Sequence, residues 1–552
     1  MASGGEREPR GWAAWRVSGL RQELDEPDGA VLERAARAVG ADPSEARSQR
    51  FARRSVDARG RGKDLHFVCQ VDVVVPDGPR SPRLRRLLRS GKVAETPVPE
   101  PLSVDGDGRR VVVVGAGPGG LFAALAAALS GSEVTLVERG EPIERRGRKV
   151  VAFHRGGAPD PDNNLLFGDG GAGTYSDGKL YTRVSDPLET AVIEELVRAG
   201  APADIAFDAR AHIGTDVLHR MLPALRGRLE EAGVRFLYGV RATGLDLRDG
   251  PGGRVVRALR TTGGDLDLDA LVLCIGHSAR DTWDWLSREG VEMEAKPFQV
   301  GVRIEHPQEL ITRGRYGPDP RGAILGPASY NLQSRGNVPA HSFCMCPGGR
   351  IVASVSEEGG LCTNGMSNSR HSSRWANAAL VTTLDPAAVA ALGHPGPMGG
   401  VGLQRELERR FFEAGGRTYA APAQRASDFL EGRRSGGELR TSYGFGAVGA
   451  RVDELLPARV REAIQGALGR FERTIPGFAG EEGLLVGIES RSSGPVRIPR
   501  ARSSYLATGF TNLHPAGEGA GYAGGIMSAA IDGARAARAA VLQGGRSGGT
   551  PA

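Results

Sequence analysis

The sequence predicts an α/β protein with a parallel sheet, and three observations lead to this class. Val111–Val114 form a short apolar run, as expected for a strand buried on both faces. A glycine-rich turn and an alanine-rich segment follow at once, which is the order strand, turn and helix. A second apolar strand, 134–138, ends on an acidic residue. This arrangement is typical of the first unit of a Rossmann-like domain.

The composition is that of a globular protein. Of 552 residues, 40% are hydrophobic and 25% are charged, which is not the balance of a disordered chain. Glycine is in excess, with 81 residues and no Gly-X-Y repeat, so collagen is excluded and backbone close to a ligand is favoured. The net charge of +6 comes from 71 basic and 65 acidic residues that alternate along the chain. With so few aromatic residues, this charge does not predict a nucleic-acid partner.

The cysteine count and the apolar runs indicate the compartment. Five cysteines, mostly far apart in the chain, do not form a disulfide framework. The N-terminus lacks the apolar core of a signal peptide, and no apolar run has the length of a membrane span. We therefore expect a cytoplasmic protein without membrane insertion.

Changes in composition and in the apolar pattern along the chain predict its division into domains. The expected architecture is a Rossmann-like dinucleotide-binding domain built from separated segments, with an inserted α+β substrate domain and a small N-terminal ferredoxin-like α/β domain. The expected bounds are 1–78 for the N-terminal domain, 79–108 for a basic, Pro- and Gly-containing linker, 109–280 for the first part of the dinucleotide-binding domain, 281–483 for the substrate domain, 484–541 for the closing segment of the dinucleotide-binding domain, and 542–552 for a disordered tail.

The strongest motif is the glycine sequence that follows the valine strand. Gly115 permits a tight turn, Gly117 lets a pyrophosphate approach the backbone, and Gly120 lets the helix pack on the strand. The helix N-terminus offers free N–H groups and a positive dipole to phosphates. Glu138 lies 23 positions after Gly115 and has the carboxylate expected to bind an adenosine ribose.

Two distant segments indicate which dinucleotide binds. Residues 269–276 are typical of a returning strand that ends at a glycine near the pyrophosphate. Residues 513–533 place Gly517 and Glu518 before a glycine turn and a helix, where the acid would bond the ribityl chain and the helix dipole would stabilise reduced flavin. The segments together favour FAD. The residues expected to bind it are Gly115, Gly117, Pro118, Gly119, Gly120, Glu138, Arg139, Arg146, Gly170, Gly171, Gly276, Gly517, Glu518, Gly525 and Ile526.

A second glycine cluster carries the candidate catalytic residues. Five glycines within 168–178 would destabilise a helix or a strand, but they suit a backbone that lies against a ligand. The chain has only five lysines, and Lys179 follows Asp177 at the end of this loop. We expect Lys179 to stabilise reduced flavin or a substrate anion, and Asp177 to orient it or to act as a base. The alternative is a surface turn with a solvated lysine.

Cys344 and Cys346 form a Cys-x-Cys sequence. A disulfide between residues two apart is strained, and metal sites usually use Cys-x-x-Cys pairs, so the expected role is packing or substrate contact and no metal site is predicted. No second stretch has the context of a nicotinamide-binding Rossmann domain. NAD(P)H would therefore act as a transient reductant without a dedicated domain.

These motifs resemble a family of FAD-dependent dehydrogenases, also called NAD(FAD)-utilising dehydrogenases, in the glutathione-reductase-like superfamily. The resemblance implies the three-part architecture given above. It also implies that Asp177, Lys179, Glu489, Arg491 and Arg497 lie near the flavin, with the last three as substrate residues. The matching stretches are SVDAR, VVVVGAGPGGLFAAL, NLLFGDGGAGTYSDGKL, FCMCPGG, TNGMS, GIESRSSGPVR and HPAGEGAGYAGGI.

This chain departs from the family pattern at three places. Gly494 stands where Ser or Ala is expected, Lys149 where an acid is common, and Cys69 where an aromatic residue is common. If Gly494 and Lys149 lie near the cofactor or substrate, the substrate of this chain differs from that of its relatives.

The sequence favours an FAD-dependent oxidoreductase that transfers a hydride between flavin N5 and a small organic substrate. One alternative is a flavin-dependent monooxygenase. The other is a non-catalytic flavin-binding protein with a protein partner. The N-terminal domain is the expected contact for such a partner or for a homo-oligomer.

Overall fold

A computed structural model describes residues 11–59, 64–78, 80–180, 186–317 and 324–543. The tail predicted at 542–552 lies outside the described residues from 544 onward. The helices are α1 Asp28–Val39, α2 Pro82–Arg89, α3 Pro118–Leu129, α4 Ile143–His154, α5 Glu189–Arg198, α6 Thr215–Glu231, α7 Arg280–Arg288, α8 Gln308–Tyr316, α9 Pro386–Ala391, α10 Gly399–Ala414, α11 Ala426–Glu431, α12 Val452–Leu455, α13 Ala458–Glu472 and α14 Ile526–Leu542.

The strands fall into three main sheets and smaller pairings. They are β1 Trp12–Glu23, β2 Ser48–Asp57, β3 His66–Pro76, β4 Val93–Glu95, β5 Arg110–Val114, β6 Glu133–Glu138, β7 Val234–Tyr238, β8 Ala242–Gly250, β9 Gly253–Thr261, β10 Leu266–Asp267, β11 Ala270–Leu273, β12 Glu294–Ala295, β13 Phe298–Pro307, β14 Gln333–Ser334, β15 Ala340–Cys346, β16 Arg350–Ala353, β17 Thr363–Met366, β18 Trp375–Leu384, β19 Ala421–Arg425, β20 Ala447–Gly449, β21 Leu484–Glu489, β22 Val496–Arg497 and β23 Leu513–Pro515.

The N-terminal sheet has the strand order β2-β3-β1-β4, with α1 and α2 as the connecting helices. This is a β-α-β-β-α-β arrangement, so the ferredoxin-like class is confirmed. The fourth strand pairs antiparallel with β1 and lies in the stretch that we predicted as linker, 79–108. The linker therefore begins only after Glu95. A three-residue edge strand next to glycine and proline has too weak a local pattern to be recognised.

The dinucleotide-binding sheet is parallel throughout, with the order β23-β11-β5-β6-β7. Strand β23 joins it from the far end of the chain, so the predicted assembly from separated segments is confirmed. Helix α3 is apolar and buried because it lies between this sheet and α14. A Cβ on Gly533 of α14 would overlap the carbonyl oxygen of Gly119, so the two helices approach backbone to backbone.

The inserted domain contains a seven-stranded sheet in the order β14-β15-β18-β13-β21-β19-β20. Strand β13 pairs antiparallel with both β18 and β21. The prediction that 484–541 belongs to the dinucleotide-binding domain is therefore wrong for Leu484–Glu489. At the other boundary, α7 packs with the apolar side chains of the parallel sheet, so the inserted sheet begins at Phe298 and not at 281. Local pattern identifies a buried strand but not its partner.

Among the described residues, no helix combines the length and the apolar character needed to cross a membrane.

Candidate functional site

Three glycine-rich segments meet at the carboxyl edge of the parallel sheet. We call them the phosphate loop (115–120), the glycine loop (168–178) and the flavin loop (517–525). A Cβ on Gly171 would lie 2.9 Å from the Cα of Gly117, so the phosphate and glycine loops touch through their backbones. A Cβ on Gly173 would lie 3.2 Å from Cγ1 of Ile526, the first residue of α14. Segments more than 300 residues apart thus form one site.

The phosphate loop leaves the N-terminus of α3 open. Gly115 has φ of +103°, which side-chain-bearing residues rarely adopt. A Cβ on Gly120 would overlap the carbonyl oxygen of Gly115, so the helix lies directly on the turn. Gly117 is the N-cap residue and supplies no side chain to the first N–H groups of the helix. These groups are suited to the phosphates of a dinucleotide.

Glu138 ties the phosphate loop to the glycine loop. Its Oε2 accepts a hydrogen bond from the backbone N–H of Ala116 at 2.7 Å. Its Oε1 accepts from the N–H groups of Gly140 and Gly168, both at 2.9 Å. We expected this carboxylate to bind a ribose. In the structure this carboxylate holds the two loops through their backbone N–H groups. Its Oε2 accepts one of these hydrogen bonds and can accept a second from a ribose hydroxyl.

Arg139 is committed to acidic partners. Its Nη1 and Nη2 atoms donate to both carboxylate oxygens of Asp281 at 2.9 and 2.8 Å, and its Nε donates to Asp162 at 2.8 Å. The guanidinium also lies over the ring of Phe167, 4.4 Å from its centroid. The structure therefore gives Arg139 a role in fastening α7 and the segment around Asp162 beside the sheet.

Arg146 is fully buried and donates to backbone carbonyls. Its partners are the carbonyl oxygens of Asn164 at 3.0 Å, Asp169 at 2.6 Å and Gly171 at 2.9 Å. Burial lowers the pKa of its guanidinium. Arg146 thus holds the glycine loop in shape, which is how the backbone of Gly170 and Gly171 comes to lie against the phosphate loop.

The flavin loop leaves the N-terminus of α14 equally open. Gly517 and Gly525 have φ of +75° and +91°, and Gly525 is an N-cap without a side chain. A Cβ on Gly519 would overlap the carbonyl oxygen of Gly276, so the returning strand segment and the flavin loop are in contact. Burial raises the pKa of Glu518 to about 7, an effect that the charge of Lys296 opposes.

The residues at this edge fit FAD. Two helix N-termini without side-chain caps point into one site, which is the donor set that a diphosphate and the electron-rich edge of a flavin require. Apart from the glycine and its two chain neighbours, no heavy atom of the described residues lies within 4 Å of a Cβ built on Gly276 or Gly517, so space remains beside these backbones.

Asp177 and Lys179 join the glycine loop to the inserted domain. The ammonium group of Lys179 donates to Oδ2 of Asp177 and to the carbonyl oxygen of Met345 in β15. Asp177 is only 1% exposed. Its Oδ1 has no hydrogen-bond partner among the described residues. The carboxylate is therefore held by Lys179 on one side and available on the other.

Cys344 and Cys346 lie at the same place. Their sulfur atoms and a carboxylate oxygen of Asp177 are all within 4.8 Å of one another. Cys346 is fully buried and Cys344 half-buried. The structure thus places both thiols beside the candidate catalytic residues, and their expected role in packing or substrate contact stays a prediction.

The three residues predicted to contact substrate lie in different parts of the structure. Glu489 forms an ion pair with Arg303 at 2.5 Å, and Arg303 donates to the carbonyl oxygen of Cys344 at 2.9 Å, so Glu489 belongs to the Asp177 cluster. Arg497 lies over the ring of Tyr522, at the flavin loop.

Arg491 is not brought to this cluster. Its guanidinium donates to both carboxylate oxygens of Glu408, at 2.9 and 2.6 Å, and to Ser356. The reason is electrostatic. The buried Glu408 carboxylate needs counter-charges, and Arg491 and Arg280 supply them.

Sequence reasoning missed several neighbours of Asp177. Arg303 lies in β13, which also contains Glu305 and His306, so its charge alone gives no distinct signal in the sequence. The rings of His212 and His371 stack at 4.0 Å beside Asp177, and burial lowers the pKa of both imidazoles. These histidines come from segments far apart in the chain, so no spacing pattern indicates them.

The three positions at which the chain departs from the pattern that it resembles lie in different parts of the structure. A Cβ on Gly494 would lie 3.2 Å from the carbonyl oxygen of Glu518, so Gly494 is part of the site. Lys149 is about half exposed on α4, next to Asp160. Cys69 is buried in the core of the N-terminal domain.

The comparisons with known proteins agree with this geometry. Residues 110–153 match an FAD-binding domain, residues 297–492 match the family described as FAD-dependent protein, C-terminal domain-like, and residues 16–74 match a domain of unknown function, DUF8436. An uncharacterized protein from Clostridium beijerinckii is 41% identical over 433 residues, which are 78% of this chain and 80% of the relative. The chain belongs to the same family as this relative, and it contains an FAD-binding domain and an FAD-dependent C-terminal domain.

Similar solved structures include glycine oxidase from Geobacillus kaustophilus, with 11% identity and a TM-score of 0.32 over 77% of this chain and 93% of that chain. A geranylgeranyl bacteriochlorophyll reductase-like protein from Thermoplasma acidophilum has 12% identity and a TM-score of 0.32 over 80% of both chains. Both likenesses are too distant to bear on the activity of this FAD-dependent protein.

Proposed function

We propose that this protein is an FAD-dependent oxidoreductase that transfers a hydride between the flavin N5 atom and a small organic substrate. The observation that supports this most strongly is the meeting of the phosphate, glycine and flavin loops. At the end of the glycine loop, the buried Asp177–Lys179 pair touches the inserted domain. The substrate would therefore lie between the two domains.

Bound FAD supplies the two-electron chemistry of such a reaction. The N-terminus of α14 favours negative charge at its end, which stabilises the reduced form of the cofactor. Lys179 holds an anionic substrate group or a developing negative charge. Asp177 fixes the position of Lys179 and has Oδ1 available to accept a proton. Because Asp177 is buried, water is excluded from this proton transfer.

The first experiment measures whether the cofactor binds and what reduces it. The purified protein is reconstituted with FAD, and its visible absorbance is followed anaerobically with a panel of metabolites, NADH and NADPH. Bleaching by one metabolite would identify the substrate, and bleaching by NADPH or NADH would support the transient nicotinamide. A protein that binds no FAD would contradict the proposal.

The second experiment tests the catalytic assignment. Lys179→Met should reduce kcat at least ~100-fold, the usual effect of losing one preorganised charged donor, while FAD still binds. Lys149→Met is the matched control because Lys149 is exposed on α4. Unchanged turnover by the Lys179 variant would remove that residue from the mechanism.

Two other functions are separate outcomes of these measurements. Substrate-dependent consumption of O2 with oxygen incorporated into the product would assign a monooxygenase. A protein partner bound stoichiometrically through the N-terminal domain, with a flavin that no substrate reduces, would assign a non-catalytic role.

A further inference from the structure

The backbone of β15 brings two thiols to the same side of the strand. Pairing between β15 and β18 shifts register between Phe343 and Cys346, so one extra residue is accommodated on β15. Cys344 lies in this bulge with φ of +43°, in the left-handed region that favours glycine. Bulges redirect side chains, and strained backbone of this kind clusters at functional sites. Cys344 and Cys346 are neighbours here and both face Asp177. A disulfide between residues two apart is strained in a regular strand, and the irregular backbone of the bulge is where that strain is accommodated.

The groups around the two thiols shift the pKa values of Cys344 and Cys346 in opposite directions. A hydrogen bond from Cys346 and the nearby charge of Lys179 lower the pKa of Cys344 to about 7, against the effect of burial. The same hydrogen bond and burial raise the pKa of Cys346. Asp177, Lys179 and Arg303 are the charged groups that face the pair from the glycine loop and the inserted sheet. Such a difference in pKa suits a reaction in which one thiol attacks as the thiolate and the other thiol attacks in a second step.

The remaining cysteines lack this environment. Cys69, Cys274 and Cys362 are buried, and burial raises the pKa of each thiol. A metal ion at the pair is disfavoured because the ammonium of Lys179 and the guanidinium of Arg303 lie beside it.

We propose that Cys344 and Cys346 are a thiol–disulfide exchange site that reacts with small-molecule disulfides. Cys344 is the attacking thiol, and Cys346 is the resolving thiol. This inference goes beyond the proposed oxidoreductase function and does not rest on it, because the reaction needs no flavin.

The reaction balances as follows for a disulfide R–S–S–R. The thiolate of Cys344 attacks one sulfur, the S–S bond breaks, and RS⁻ leaves and takes up the proton released when Cys344 ionised. The thiol of Cys346 then gives its proton to Oδ1 of Asp177 and attacks the sulfur of Cys344, which expels the second RS⁻. That thiolate receives the proton from Asp177. Two protein thiols are oxidised to one disulfide, and R–S–S–R is reduced to two R–SH.

The test uses 4,4′-dithiodipyridine as the disulfide, with the FAD-reconstituted full chain under anaerobic conditions. The released thiopyridone is measured by absorbance, and the peptide containing both cysteines is measured by mass spectrometry. The native chain should release two thiopyridones and lose two hydrogens at this peptide. Cys346→Ser should release one and keep an adduct on Cys344, and Cys344→Ser should react at least ~10-fold more slowly at this peptide. Cys362→Ser is the control, and it should behave like the native chain.

Two positioning residues give further readouts. Lys179→Met should shift the pH profile of the first step to higher pH, because a positive charge is lost beside the thiolate. Asp177→Asn should shift the pH profile of the first step to lower pH, because a negative charge is lost beside the thiolate, and it should prolong the mixed disulfide, because the proton acceptor is lost. A role in folding alone would not separate the two steps in this way.

Three results would overturn the inference. In the first, Cys344 reacts no faster than Cys362 in the folded chain. In the second, the native chain keeps the adduct on Cys344, so that no disulfide closes. In the third, the thiols react only after a stoichiometric bound metal is removed by chelator, which would assign a metal site instead. The absorbance of bound flavin is recorded in every sample, so failure of the oxidoreductase proposal is detected separately.

Discussion

At the scale of single residues, buried carboxylates decide how the loops of the site are held. Glu138 accepts three backbone N–H groups and so connects the phosphate loop, the turn at Gly140 and the glycine loop. Glu408 is enclosed by Arg280 and Arg491 between α7 and the inserted domain. Each carboxylate satisfies donors that come from separate parts of the chain, and its removal leaves those donors buried without a partner.

Replacing Glu138 tests the first of these roles. Glu138→Gln puts an amide NH2 where an acceptor is needed, so we expect FAD affinity to fall at least ~10-fold, or about 1.4 kcal/mol. The dissociation constant is measured from quenching of flavin fluorescence. Glu133→Gln, an exposed change at the start of the same strand, should have no effect. Equal affinities of the two variants would show that the hydrogen bonds of Glu138 do not shape the cofactor site.

Replacing Glu408 tests the second role through stability. Burial acts to raise the pKa of Glu408, but the charges of Arg280 and Arg491 outweigh it and hold that pKa well below the usual range. Glu408→Gln leaves the buried guanidinium of Arg491 without a carboxylate partner and Arg280 with Glu357 alone, which costs about 3–5 kcal/mol of unfolding free energy at neutral pH. Glu406→Gln on the same helix is the control, because this glutamate is part-exposed and its loss costs less than ~1 kcal/mol.

The pH dependence of this pair has a definite sign. Since the folded-state pKa of Glu408 lies below its unfolded value of ~4.3, the stabilisation is complete above that value. It is lost as the pH falls from there through the folded-state pKa. The unfolding temperature of the Glu408→Gln variant should therefore approach that of the native chain as the solution becomes acidic. A constant difference from about pH 7 to about pH 3 would contradict this account.

At the scale of elements, helix α3 depends on a glycine to pack closely on the turn that precedes it. A Cβ on Gly120 would overlap the carbonyl oxygen of Gly115, so Gly120→Ala must push α3 away from β5. We expect loss of FAD binding and a lower unfolding temperature. The matched control is Gly227→Ala in α6, where a Cβ meets nothing within 4 Å. That change should stabilise the helix by roughly 0.5–1 kcal/mol. If both variants bind FAD like the native chain, the proposed contact of helix and turn is wrong.

The same elements show what a sequence can reveal. The valine strand, the glycine turn and the acidic end of the second strand are consecutive in the chain, so their physical roles follow from spacing alone. Strand β21 has an equally clear apolar pattern, but its partner β13 lies about 180 residues earlier and no local signal identifies it. Arg303 and Cys344 meet only because β13 and β15 both pair with β18, so this part of the site became visible only in the fold.

At the scale of the whole molecule, the inserted domain and the N-terminal domain are fastened to the dinucleotide-binding domain in different ways. The inserted domain is joined to it by buried charges at Glu408 and Lys179. The N-terminal domain is joined by the edge of β2, where Arg54 exchanges backbone hydrogen bonds with Phe207 and Ala209. The guanidinium of Arg54 also lies over the ring of Phe207, 5.2 Å from its centroid. Leu24, Ala58 and Leu65 of the N-terminal domain are also buried in the apolar cluster of the inserted domain, so the edge of β2 is one part of how this domain is held.

The contact at the edge of β2 can be weakened by one substitution. Phe207→Ala keeps the backbone pairing but removes the aromatic surface on which Phe51 and Arg54 pack, which costs about 1–2 kcal/mol of docking free energy. Limited proteolysis within the linker at 96–108 should then be roughly 5- to 30-fold faster, since that change in free energy raises the open population by this factor. The FAD content should not change, because the ring of Phe207 packs on Phe51 and Arg54 of the N-terminal domain. Leu392→Ala, an exposed change in the inserted domain, is the control and should leave the cleavage rate unchanged. Loss of FAD together with faster cleavage would instead show that the N-terminal domain contributes to the stability of the cofactor site.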